Sequence, residues 1–258
     1  MKTNVLLTMM AAAAFSFTLL SSCNMLTNTG DPDKPGAAYN GIGLPQPRPQ
    51  TPLKAEVIGN IDPEEYDKET ASVVTFNRIP YDLDEFNEVY AAIGDKPAGA
   101  VAMLLMAMEM YHRQHDVGLQ ALELCNTPGD MKVRYGEQLN QLYMINDATG
   151  YARPYQVASF LKGANYLNGY APETPYTIEI KTDPAKPYAW SNDYEAHVIY
   201  LRITQSSKVE KGPDVILKTQ GVSVVMPAGK DKFQVFEGAG LITQCVKISA
   251  TATYKDLI

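Results

Sequence analysis

The chain has 258 residues, with 29 acidic against 22 basic side chains and a net charge of −7. That balance argues against nucleic acid as a partner and against electrostatic adhesion to anionic lipid, since both require a surplus of Lys and Arg.

Residues 1–22 place Lys2 before the apolar run "VLLTMMAAAAFSFTLL" and end on small residues, the layout of a secretory signal peptide. The run is short for a permanent span, which needs about 20 residues. Leu20-Ser21-Ser22-Cys23 resembles the bacterial lipobox, in which a lipid is attached to the cysteine thiol and the chain is cut just before it. Cys23 is therefore the expected lipidation site. Each buried CH₂ of an acyl chain contributes about 0.8 kcal/mol, so several chains on one cysteine hold firmly. Asn24 follows the cysteine where an Asp would signal retention, which favours the outer membrane. The mature chain would carry a charge of −8, because Lys2 is the one charged residue of the leader.

Residues 23–55 contain "NMLTNTGDPDKPGAAYNGIGLPQPRPQTP", rich in Gly, Pro, Asn and Thr and without apolar periodicity. The composition predicts a flexible tether. Residues 56–258 then fit one α+β domain, with a helical part over about 82–168 and a strand part over about 175–250. The expected architecture is an N-terminal helical bundle packed on a C-terminal antiparallel sheet.

In "YDLDEFNEVYAAIGD", Leu83, Phe86, Val89, Tyr90 and Ile93 recur at steps of three and four, with Asp82 as cap, Glu85 as reciprocal partner and Gly94 as terminator. "KPAGAVAMLLMAMEMYHRQHD" is apolar on all sides, which predicts a buried central helix in which Met103, Met106 and Met110 serve as core filling. "GLQALELC" predicts a third helix. "DMKVRYGEQLNQLYMIND" predicts a fourth, with Tyr135, Leu139, Leu142 and Tyr143 on one face. A short helix is expected from Pro154 or Tyr155 to about Lys162-Gly163.

From Pro175 the period changes to two. "PYTIEIKTD", "HVIYLRITQ", "DVILKTQ", "GVSVVM", "KFQVFE" and "LITQCVKIS" predict about six strands, and "MPAGKDKF" a hairpin turn at Gly229. Helices followed by strands mean α+β rather than alternating α/β.

The segments "PAGAVAMLLMAMEMY", "SFLKGANYLNGYAPETPYTIEI", "VIYLRITQSS" with "GPDVILK", and "KFQVFEGAGLI", in that order, resemble an uncharacterised family of bacterial lipid-anchored or secreted envelope proteins, a domain of unknown function. The resemblance spans roughly residues 75 to 250. It implies an α+β domain at the cell envelope and carries no known activity and no functional residues.

Several constellations are candidates for chemistry. Cys125 and Cys245 remain once Cys23 is lipidated, and an oxidising compartment allows a disulfide between them or two separate thiols. In "EMYHRQHD", Glu109, His112 and Asp116 fall at steps of three and four, with His115 beside them and His197 on a distant strand. The spacing suits zinc but is not HExxH, and the plain alternative is a polar helix end, so no metal is assigned. No nucleophile elbow, phosphate loop or dinucleotide fingerprint is present, and the chain points to no cofactor. "KPYAWSNDYEAH" gathers Tyr188, Trp190 and Tyr194 with Asn192 and Asp193 in what reads as a polar loop, a candidate surface for stacking on a sugar or anchoring a protein. These observations favour a lipid-anchored envelope protein with a non-catalytic binding or structural role, its partner an envelope protein or a glycan. The alternative is a hydrolase-like enzyme, metal-dependent or not, built around His112, Asp116 and His197.

Overall fold

The chain lays down two strands before its first helix. The structure, a computed structural model, describes residues 48–62, 69–134, 145–146, 151–152, 157–207, 215–242, 245–246 and 257. Strand β1 (Ala55–Gly59) pairs antiparallel with β2 (Ala71–Phe76), Val57 opposite Val74 and Gly59 opposite Ser72. These two strands precede the helices, which otherwise lie N-terminal to the sheet as expected. "AEVIG" follows a Pro-rich stretch and is too short to announce a strand on its own, and pairing with β2 makes it one.

The domain also begins earlier than position 56. Arg48 Nη1 lies 2.7 Å from Asp82 Oδ2 and its Nη2 3.2 Å from Glu85 Oε1, with the guanidinium over the Tyr81 ring. Arg78 donates to the Thr51 carbonyl, and the Asn77 side chain bonds both Pro52 O and Lys54 N.

Helix α1 (Leu83–Ile93) starts as its sequence predicts, with Asp82 Oδ1 accepting from Glu85 N at 3.0 Å. Glu85 departs from the capping box. Its carboxylate accepts from Tyr81 N and forms a two-point pair with Arg78 at 2.6 and 2.9 Å. Helix α2 (Pro97–Arg113) is buried at every position from 98 to 111, as its all-round apolarity predicts, and the methionines among them are core. It stops at Gln114, whose backbone is extended, and α3 (His115–Cys125) begins at once. Gly118 lets α3 press against α2, since a Cβ there would run into the Tyr111 backbone. Helix α4 (Pro128–Arg134) follows; Tyr135, Leu139, Leu142 and Tyr143 lie outside the described residues.

Past α4 the next described elements are short. Strands β3 (Ile145–Asn146), β4 (Tyr151–Ala152) and a late β10 (Cys245–Val246) form a small antiparallel sheet. The 3₁₀ turn Ala158–Phe160 stands where a short α-helix was expected, and a second, Tyr166–Asn168, follows it.

The main sheet is antiparallel throughout. To β1 and β2 it adds β5 (Tyr176–Thr182), β6 (Tyr188–Ser191), β7 (Ala196–Ser207), β8 (Ile216–Val225) and β9 (Gln234–Glu237). Their order is β1-β2-β5-β7-β8-β9, with β6 also on β7. The stretches "DVILKTQ" and "GVSVVM", expected as two strands, run as the single strand β8 through Gly221. "LITQCVKIS" divides into a 3₁₀ turn, Ala239–Leu241, and β10. One sheet face carries Val74, Phe76, Ile178, Ile180, Leu201, Ile203, Val222 and Val224, all buried, and α2 packs on this core through β2, β8 and β9. Each such aliphatic side chain contributes about 1.5–3 kcal/mol on burial. The predicted β8–β9 turn is present: Lys230 N bonds Pro227 O at 2.9 Å, and Gly229 supplies the φ of +75° that the turn needs.

Candidate functional site

The stretch around Trp190 is not a loop. It forms β6, a four-residue turn over 192–195, and the start of β7, a hairpin that stands beside the end of β5. The register sets Trp190 opposite His197 and Tyr188 opposite Ile199, so these side chains share one face of the sheet. On that face His197 sits between two rings. Its centroid is 5.0 Å from that of Tyr188 and 5.2 Å from that of Trp190, each pair meeting at 80°. Trp190 is 58% exposed, the second most open of the large hydrophobic side chains among the described residues. Its indole Nε1 donates to Asn192 Oδ1 at 3.1 Å, which fixes the ring while its surface stays in solvent.

Tyr194 belongs to a different set. It is half-buried against Phe236 at 5.8 Å, and its carbonyl accepts from Ala228 N in the β8–β9 turn. It fastens the hairpin to its neighbour. The sequence cluster of Tyr188, Trp190 and Tyr194 therefore becomes Tyr188, Trp190 and His197 in space. Counting outward from the turn, with Ser191 opposite Ala196, would have paired Trp190 with His197. Without the register, His197 looked like a distant metal ligand.

The premise of the metal constellation fails at Gln114. Glu109 belongs to α2 and Asp116 to α3, so the spacing does not present them from one helical face. Glu109 is fully buried, Asp116 is exposed, and the side chains of His112 and His115 lie outside the described residues. Among the described residues no group of three His, Cys, Asp or Glu side chains could hold a metal ion. Cys125 is a free, fully buried thiol whose Sγ approaches Leu122 O at 3.7 Å, and burial pushes its pKa up, disfavouring the thiolate. Of the two alternatives, a bridge to Cys245 or two separate thiols, Cys125 takes the free form, and the Cys245 side chain lies outside the described residues.

A groove of about 680 Å³ opens on the outer face of the sheet. Strand β5 pairs with β7 only through Ile180, Lys181 and Thr182; beyond them the Ala158–Phe160 turn wedges in. Gln205 Nε2 bonds Ser159 Oγ at 2.9 Å, and Lys162 N bonds Thr177 O at 2.9 Å. Its charged groups are already engaged, Lys162 with Glu173 at 3.0 Å and Glu179 with Lys181 at 3.2 Å. Of the two places, the hairpin keeps its stacking surface in solvent.

The domain of unknown function DUF6935 matches residues 78–249. The chain belongs to this family. Strands β1 and β2, which complete the sheet, lie ahead of the matched region. No curated protein and no solved structure gives a match.

Proposed function

We propose that this DUF6935 chain is a lipid-anchored protein of the bacterial envelope, held at the outer membrane through acyl chains such as palmitate on Cys23, and that its folded domain is a non-catalytic binding module. The observation that carries the binding reading is the solvent-facing Trp190, pinned by Asn192 and braced by His197 beside Tyr188. An exposed aromatic of this size, fixed at low entropy cost, is the usual anchor of a recognition surface. The leader and lipobox support the anchoring, and the 24 residues between Cys23 and Arg48 would span at most about 80 Å, enough to hold the domain clear of a membrane. Among the described residues no helix is long and apolar enough to cross a membrane, so in this reading attachment falls to the lipid.

The two halves have separate tests. Cells expressing the full chain are labelled with palmitate; the wild type takes up label and partitions with membranes, and Cys23→Ser loses both. Label or membrane partitioning retained by Cys23→Ser would overturn the anchor. For binding, full-length protein in detergent is co-sedimented with purified envelope material. Trp190→Ala should lose most of the retained protein, and equal retention would overturn the role of the hairpin.

A further inference from the structure

We infer that the β6–β7 hairpin recognises a neutral oligosaccharide, with Trp190 and Tyr188 stacking on neighbouring sugar rings and Asn192 acting as the positioning residue for the indole. This rests on the binding reading above and names its ligand.

The size of the patch decides between a sugar and a protein. A stable protein interface takes about 800 Å² from each partner and about 20–30 residues, centred on an apolar cluster. Here the exposed surface is a strip two rings wide. Among the described residues the other large exposed hydrophobics, such as Ile58, Leu119, Leu124 and Leu217, sit on β1, α3 and the far end of β8. Polar residues surround the strip instead: Asn192, Asp193 and Glu195 are all exposed in the turn that follows Trp190.

The geometry suits a chain of sugars. Tyr188 and Trp190 are two residues apart on one strand face, a repeat of about 7 Å, so two adjoining pyranose rings of one oligosaccharide can each meet an aromatic ring. Sugar C–H groups carry partial positive charge and pack on the negative face of a π system. His197, between the two rings, keeps them from closing on each other. With the indole N–H already bonded to Asn192, Trp190 is oriented before a ligand arrives, which lowers the entropy lost on binding.

The charge selects neutral glycans over polyanionic ones. The turn places Asp193 and Glu195 beside the strip, in a chain of net charge −7. The neighbouring cation, Lys186, lies 3.8 Å over the ring of Tyr200, which alternates to the other face of β7 from His197. Lys186 is therefore held on the other face and is not directed to meet a uronate at the strip.

Trp190 is the one tryptophan of the chain, so intrinsic fluorescence reports this site alone. The full-length protein, in a detergent without a sugar headgroup, is titrated with tetramers of N-acetylglucosamine, cellobiose-type glucose and maltose-type glucose, with polygalacturonate as the charged comparator. At least one neutral tetramer should give a saturable change in emission, and polygalacturonate should bind at least about tenfold more weakly. Tyr188→Ala should weaken the response about tenfold and Asn192→Ala about threefold, with unchanged thermal midpoints. A response to purified envelope material but to no neutral tetramer would overturn the sugar assignment and leave the binding reading standing. Silence toward both would overturn both. Preferential binding of polygalacturonate would overturn the neutral class, and a saccharide response untouched by Tyr188→Ala would overturn the proposed stacking site.

Discussion

One face of β7 meets two environments. Ile199, Leu201 and Ile203 are buried under the helical layer, while His197, two residues earlier on the same face, is exposed between Tyr188 and Trp190. The strand and its alternation are continuous across both regions. What changes is cover: α2 lies over β2, β8 and β9, and at the β6–β7 hairpin His197 meets the rings of Tyr188 and Trp190. The lesson is that the same period-two pattern builds a core where a second layer is present and an exposed aromatic strip where it is absent.

The contrast predicts a steep gradient of stability costs. Away from the strip the largest effect is expected from Arg78→Ala, which strands the buried Glu85 carboxylate that Arg78 holds at 2.6 and 2.9 Å. Breaking a buried pair from one side costs about 3–5 kcal/mol. Urea unfolding measures it, and a loss below 1 kcal/mol would show that Arg48 and the Tyr81 amide hold Glu85 unaided. Leu201→Ala should cost about 2–5 kcal/mol by the same measurement, since Leu201 is 1% exposed and its removal leaves a cavity. His197→Ala, on the same face, should cost less than about 0.5 kcal/mol. Similar values for the two would break the comparison.

Acid should act away from the strip. The Arg78 hydrogen bonds, with the Tyr81 amide and Arg48, hold the Glu85 carboxyl at about 2, below its ordinary 4.5. A depressed carboxylate contributes stability that is fully present above its unfolded value and is lost as pH falls from about 4.5 toward about 2. Glu85→Gln should flatten unfolding free energy across that window while leaving Trp190 emission in the native state unchanged. A smaller effect is expected from Gly229→Ala, about 1 kcal/mol, because φ is +75° although space is open. The smallest is Trp190→Ala, within about 0.5 kcal/mol by thermal unfolding, because the indole is mostly in water. A large loss there would make Trp190 a core residue and remove it from the recognition strip.

Much of the local structure was legible because it repeats. The α1 cap at Asp82, the burial of α2, the alternation of β5 and the turn at Gly229 each follow from a period or a backbone requirement contained within about a dozen residues. The break at Gln114 was not legible, since neither Gly nor Pro marks it, and the metal constellation failed with it. β1 was missed because five residues beside a Pro-rich stretch become a strand only when β2 pairs with them. Within the candidate site, sequence proximity gathered Tyr188, Trp190 and Tyr194, whereas pairing register exchanged Tyr194 for His197.

By itself, then, the amino-acid sequence determined the helical periods of α1, α2 and α3, the alternation of β5 and β7, and which faces of these elements are apolar. Tertiary structure decided which aromatic rings remain in water, that Arg48 and Arg78 converge on Glu85, and that Cys125 is buried as a free thiol. The division has a physical cause. Periodicity is a property of neighbouring residues, but exposure depends on which distant element covers a face, and that is fixed only when strands register and layers pack.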